Sequence, residues 1–197
     1  MTSYQKALKK LVLAGMFLAI GFVLPFLTGQ IQQIGNMLLP MHIPVLLCGL
    51  ICGWKYGLAV GFILPIARSL IFGMPPIYPT AIAMAFELAA YGGVIGLLFS
   101  RVRKQSISSL YICLILSMLA GRVAWGILRF LMAWIDIPGL AQSSFGFAAF
   151  FSGAFLEAIP GIVLQLILIP ALMLLLDRTH LLPFQASNRS AISVSES

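Results

Sequence analysis

Charge is scarce in this chain. Only 9% of its 197 residues are Asp, Glu, Lys or Arg, while 61% are hydrophobic. A soluble domain carries about 25% charged residues, so an ordinary water-soluble fold is excluded. Acidic residues are the scarcest, five against twelve Lys and Arg. The basic excess does not point to nucleic acid, because the basic residues sit in short segments between apolar runs and form no interleaved basic and aromatic face. No Gly-x-x-x-x-Gly-Lys-Ser/Thr loop is present, which excludes P-loop nucleotide binding. Neither Ser nor Cys lies beside a plausible His base, so the chain is not read as an intramembrane hydrolase. Cysteine is rare as well. Cys48, Cys52 and Cys113 all fall in apolar stretches, and no His or acid accompanies them at metal-ligand spacing. They read as small buried hydrophobes, and neither a metal nor a cofactor is expected.

What is present is a series of apolar runs near 20 residues, the length that crosses a bilayer. They fall at about 8–27, 37–53, 56–73, 79–100, 107–134 and 145–176. The last two exceed what a bilayer needs and should tilt or protrude. The N-terminal Lys6, Lys9 and Lys10 followed by an apolar run imitate a signal peptide, but no clean cleavage site follows and the segment reads as a retained first helix. The expectation is an all-α membrane protein of six transmembrane helices over residues 1–184, with a Ser-rich disordered tail at 185–197. No inverted repeat of the kind found in many secondary transporters is visible.

Lys6, Lys9, Lys10, Lys55, Arg101, Arg103, Lys104, Arg178 and Arg189 fall on one side of this arrangement, and the opposite loops contain no Lys or Arg. That asymmetry predicts both termini in the cytoplasm. Most prolines, among them Pro25, Pro40, Pro44, Pro65, Pro75, Pro76 and Pro79, fall in the outer half. Broken backbone at membrane depth is tolerated where it lines a protein-enclosed or watery cavity, so the outer half is expected to hold a pocket.

Five ionisable residues lie within the apolar runs: Arg68, Glu87, Arg122, Arg129 and Glu157. Each costs about 2.5–3.5 kcal/mol at the bilayer centre on insertion scales, and such residues mark sites or internal pairs. Arg122 and Glu157, both near mid-depth, are expected to form a structural ion pair. Three positive charges against two negative leave one cation over, which favours an anionic ligand. Arginine presents a donor fork suited to carboxylate. Arg68, Glu87 and Arg129 are placed toward the outer cavity, joined by the amide and aromatic groups Asn36, His42, Tyr78, Tyr91 and Trp125 as candidate ligand contacts. On the first span, Gly15 and Ala19 form a small-x-x-x-small face.

The stretch Met37-Leu38-Leu39-Pro40-Met41-His42-Ile43-Pro44-Val45-Leu46-Leu47, with Gly49, Gly53, Lys55-Tyr56-Gly57 and the Gly73-Met74-Pro75-Pro76 turn, resembles the substrate-binding S components of energy-coupling factor (ECF) vitamin transporters. The similarity spans about Lys6 to Asp177 and is greatest to the pantothenate-specific members. It implies a prokaryotic plasma-membrane subunit that captures a water-soluble vitamin and works with a membrane coupling subunit and two ATPase subunits, which hydrolyse the ATP. It also implies that the first helix docks on the coupling subunit through Gly15 and Ala19, standing where the family has Ala-x-x-x-Ala. Folate, pyridoxine and riboflavin are the alternative vitamins. A self-sufficient proton-coupled transporter is the alternative class.

Overall fold

The computed structural model describes residues 3–28, 39–102, 106–134 and 158–178. Among them there are six α-helices and no strand: α1 Ser3–Val23, α2 His42–Cys52, α3 Trp54–Phe72, α4 Ile82–Arg101, α5 Ile107–Trp134 and α6 Ile159–Arg178. Five helices are long and apolar enough to cross a membrane, and α2 is a shorter apolar helix. The all-helical expectation holds. Where Pro25 removes a backbone donor, α1 passes into a 3-10 turn over Leu24–Thr28. A wider turn, Ile77–Ala81, precedes α4, with Tyr78 in extended backbone at φ −109°, ψ 135°. Part of the expected last span, residues 145–157, lies outside the described residues. The described part opens on Ile159-Pro160, a site where proline loses no helical hydrogen bond.

The second span needs correction. A helix over 37–53 was expected, yet α2 begins only at His42 and has 11 residues, about 16 Å of rise against a hydrocarbon core of about 30 Å. Leu39 adopts φ 49°, in the left-handed region, and Pro40 follows it, so no helix can run through this point. The N-terminus of α2 is therefore buried within the bundle: Leu39, Pro40, Met41 and His42 are all buried.

A single residue, Gly53 at φ 100°, turns α2 into α3. Glycines then let three helices meet backbone to backbone. A Cβ at Gly57 or Gly92 would overlap the other's backbone, one at Gly61 would strike the Leu88 carbonyl, and one at Gly49 would strike that of Gly92. One at Gly96 would meet the backbone at Trp54. The pairings 57 with 92 and 61 with 88 make α3 and α4 antiparallel, while 42 with 91 and 49 with 92 make α2 and α4 parallel. In the same way the pairings 121 with 91, 122 with 87 and 132 with 78 make α5 antiparallel to α4, and 22 with 68 and 26 with 72 make α1 parallel to α3. The helix α6 packs on α2 and α5.

Candidate functional site

Where the starts of α2 and α4 meet the middle of α5, the bundle gathers polar side chains that the membrane core would otherwise exclude. From α2 comes His42, the first helical residue. From α4 come Glu87 and Tyr91, one turn apart on the same face. From α5 comes Arg122. All four are buried, with His42 and Tyr91 fully enclosed.

Glu87 is the centre of the group. Its Oε1 lies 2.9 Å from Arg122 Nη1 and 3.5 Å from His42 Nε2. The His42 and Tyr91 rings meet edge to face at 5.0 Å between centroids. Tyr91 packs against Gly121, where a Cβ would collide with its ring. That close fit locks the tyrosine beside the ion pair.

Several polar atoms of the group have no hydrogen-bond partner among the described residues. They are the Tyr91 hydroxyl, both ring nitrogens of His42, Nε and Nη2 of Arg122, and Oε1 of Glu87, whose 2.9 Å approach to Arg122 is an ion pair without hydrogen-bond geometry. Nε and Nη2 form the side edge of a guanidinium, the edge that takes a carboxylate with two parallel hydrogen bonds. Glu87 thus meets one end of Arg122, and Nε and Nη2 are left without a hydrogen bond among the described residues, with the Tyr91 hydroxyl against the guanidinium. Among the described residues no side chain caps α2; the His42 N–H is bonded to the Leu39 carbonyl and Pro44 has none, so what the helix start adds beside His42 is the positive end of a short helix dipole. The arrangement suits an anion, and carboxylate in particular.

The remaining expected residues divide. Arg68, buried on α3, donates from Nη1 to the Phe22 carbonyl at 2.6 Å and stacks between Phe26 and Phe72, 4.9 and 5.2 Å from their ring centroids. It ties the end of α1 to the end of α3. Arg129, two turns beyond Arg122 on α5, lies over Trp125 at 5.7 Å. Tyr78 donates to the Met132 carbonyl at 3.2 Å, pinning the turn before α4 to the end of α5. Arg129, Trp125 and Tyr78 thus form a layer toward the end of α5, separate from the Glu87 group. The Gly15 and Ala19 positions are exposed on α1, and nothing lies within 4 Å of a Cβ built on Gly15.

Arg122 was expected to pair with Glu157. Among the described residues its carboxylate partner is Glu87, and Glu157 itself, like Asn36, lies outside them. Two features escaped the sequence reading. Gln165 on α6 is fully buried with both amide atoms unpartnered among the described residues, and its signal was a lone amide in an apolar run. The glycines 49, 57, 61, 92 and 96 carried their signal in four-residue spacing, the pattern of close helix approach.

Comparison with known proteins gives one family match. The model of the family described as "ECF transporter, substrate-specific component" matches residues 9–173. No curated protein and no solved structure matches the chain significantly.

Proposed function

The chain belongs to the substrate-specific component family of ECF transporters, and from that premise we propose that it captures a carboxylate vitamin, pantothenate first, at Arg122. As a family member it is a multi-pass protein of the cell membrane and a transporter subunit rather than a catalyst.

One observation carries the choice of site: the Nε and Nη2 edge of a buried Arg122, unbonded among the described residues, whose other end meets Glu87. An arginine inside a membrane bundle that keeps two donors unsatisfied is costly unless something else completes it. A ligand carboxylate supplies the two acceptors. The Tyr91 hydroxyl and the His42 ring provide further hydrogen bonds, which suit the hydroxyl and amide groups of pantothenate. Arg129, Trp125 and Tyr78 form a second layer that the ligand meets on its way in. The group is closed to solvent in this structure, so capture includes an opening step. Delivery then requires the membrane coupling subunit and the two ATPase subunits.

Titration of the purified chain with pantothenate, folate, pyridoxine and riboflavin tests the reading. Pantothenate should bind in the micromolar range or tighter, and Arg122→Lys should weaken it by at least about tenfold, since a lysine cannot reproduce the two-donor edge. Tight binding of a neutral vitamin alone would replace the carboxylate assignment.

A further inference from the structure

We propose that capture at Arg122 takes up one proton, held by the Glu87–His42 pair, so that an anionic ligand enters the bundle without adding net charge. The inference rests on the reading of the Arg122 group as the ligand site.

Charge balance leads to it. In the closed group the Arg122 cation and the Glu87 carboxylate already neutralise each other across 2.9 Å. A ligand carboxylate on the Nε and Nη2 edge of Arg122 would place a second anion on the same guanidinium. Among the described residues no further cationic side chain lies beside it to match that charge. The buried residues of α1 are Ala14, Phe17 and Gly21, and Pro25 is buried in the turn after it; none of them is charged. On α3 the buried charge is Arg68, committed to the Phe22 carbonyl. On α5 the next cation is Arg129, seven residues on, roughly 10 Å along the helix. The buried polar side chain of α6 is the Gln165 amide. The thiols Cys48 and Cys113 lie six and nine residues along their helices from His42 and Arg122, toward the other end of the bundle. Tyr91 faces the group with a hydroxyl that can donate but not neutralise.

A buried charge without a partner is relieved by protonation. Two carboxylates on one site share a proton for the same reason. Glu87 is the second carboxylate, and His42 Nε2 stands 3.5 Å from it. The proton therefore belongs to the pair rather than to either residue. With the proton in place, Arg122 faces the ligand anion while Glu87 and His42 together carry no surplus negative charge.

The sign follows. Binding that takes up a proton is favoured at low pH, and Kd rises with pH, approaching about tenfold per pH unit where uptake is complete. In Glu87→Gln the group holds one cation before the ligand arrives, so the ligand carboxylate balances it unaided. That variant should bind more tightly than the native chain at alkaline pH and lose the pH dependence.

The experiment is calorimetric titration of the full chain in detergent or nanodiscs, using pantothenate, biotin and nicotinate as probes. Each is run at neutral pH in phosphate and in Tris, whose ionisation enthalpies differ. A difference in observed heat equivalent to about one proton per ligand supports the proposal. Binding of any carboxylate with no buffer dependence, and with Kd constant from acid to alkaline pH, overturns it. The native chain alone decides this, whether or not Glu87→Gln folds. If biotin or nicotinate binds with uptake and pantothenate does not bind, the proton inference stands and the pantothenate reading falls. If only a neutral vitamin binds, or none, both fall.

Discussion

At the scale of single residues, Arg122 decides the most. Truncating it to Ala would leave Glu87 buried without its cation, a cost of about 3–5 kcal/mol, so lost ligand binding in that variant would be confounded by lost folding. The paired variant Arg122→Met with Glu87→Gln removes both charges together. Its melting temperature should recover most of what Arg122→Met alone loses, while pantothenate affinity does not return. A double-mutant cycle on melting temperature and Kd measures the two separately. Arg68 should behave in the opposite way. It bonds a backbone carbonyl and two rings that join α1 to α3, so Arg68→Ala should cost about 1.5–3 kcal/mol of stability, visible in thermal melts before it is visible in Kd. The sequence made both arginines conspicuous as charges in apolar runs, but it could not say which acid meets which base. Depth counted along separate helices placed Glu87 nearer the surface than Arg122. The turn over Ile77–Ala81 and the 28-residue α5 shift that count. Tyr78 is level with Met132 through its hydrogen bond, and nine or ten residues on from that level Glu87 meets Arg122.

At the scale of elements, the pattern of apolar runs gave the helices, and α5 matches its expected bounds at 107–134. It did not give the length of α2, because a run of apolar residues looks the same whether or not the backbone bends within it. Leu39 and Pro40 bend it. A left-handed leucine is costly and uncommon, and here it ends the approach to α2 so that the helix begins at His42, beside Glu87 and Tyr91. The shortness of α2 thus belongs to the site: a helix spanning the bilayer would carry its N-terminus, and His42 with it, out to the headgroups. The glycine contacts among α2, α3 and α4 set how close these helices come and so fix the reach from His42 to Glu87. A side chain at Gly57 or Gly92 must push two backbones apart. Gly92→Val should therefore lower stability by about 1–3 kcal/mol or more, with the melting temperature of the purified chain as readout. Gly15→Val, with open space around its Cβ, should leave melting unchanged.

At the scale of the whole molecule, that contrast separates glycines that hold the fold from one that the fold leaves alone. On α1 only Ala14, Phe17 and Gly21 are buried, Leu13, Leu18 and Phe22 are half-buried against the core, and Leu11, Val12, Met16 and Ile20 are exposed. Lipid suits those large side chains as well as a protein partner would, so their exposure says little by itself. Gly15 and Ala19 differ: among the larger side chains they form a notch one turn long, and a notch gives lipid no benefit while allowing another helix's backbone to come close. Family membership supplies the reason for such a face, since substrate-specific components work with a membrane coupling subunit. The double variant Gly15→Leu with Ala19→Leu fills the notch without touching the Arg122 group. It should bind pantothenate with the native Kd as a purified chain and melt at the native temperature. When expressed with its coupling and ATPase subunits, it should fail to co-purify with them, and vitamin uptake by cells should drop to background. If uptake survives with the notch filled, docking lies on another face of the bundle. If binding is lost together with uptake, α1 is part of the capture site rather than a separate docking surface.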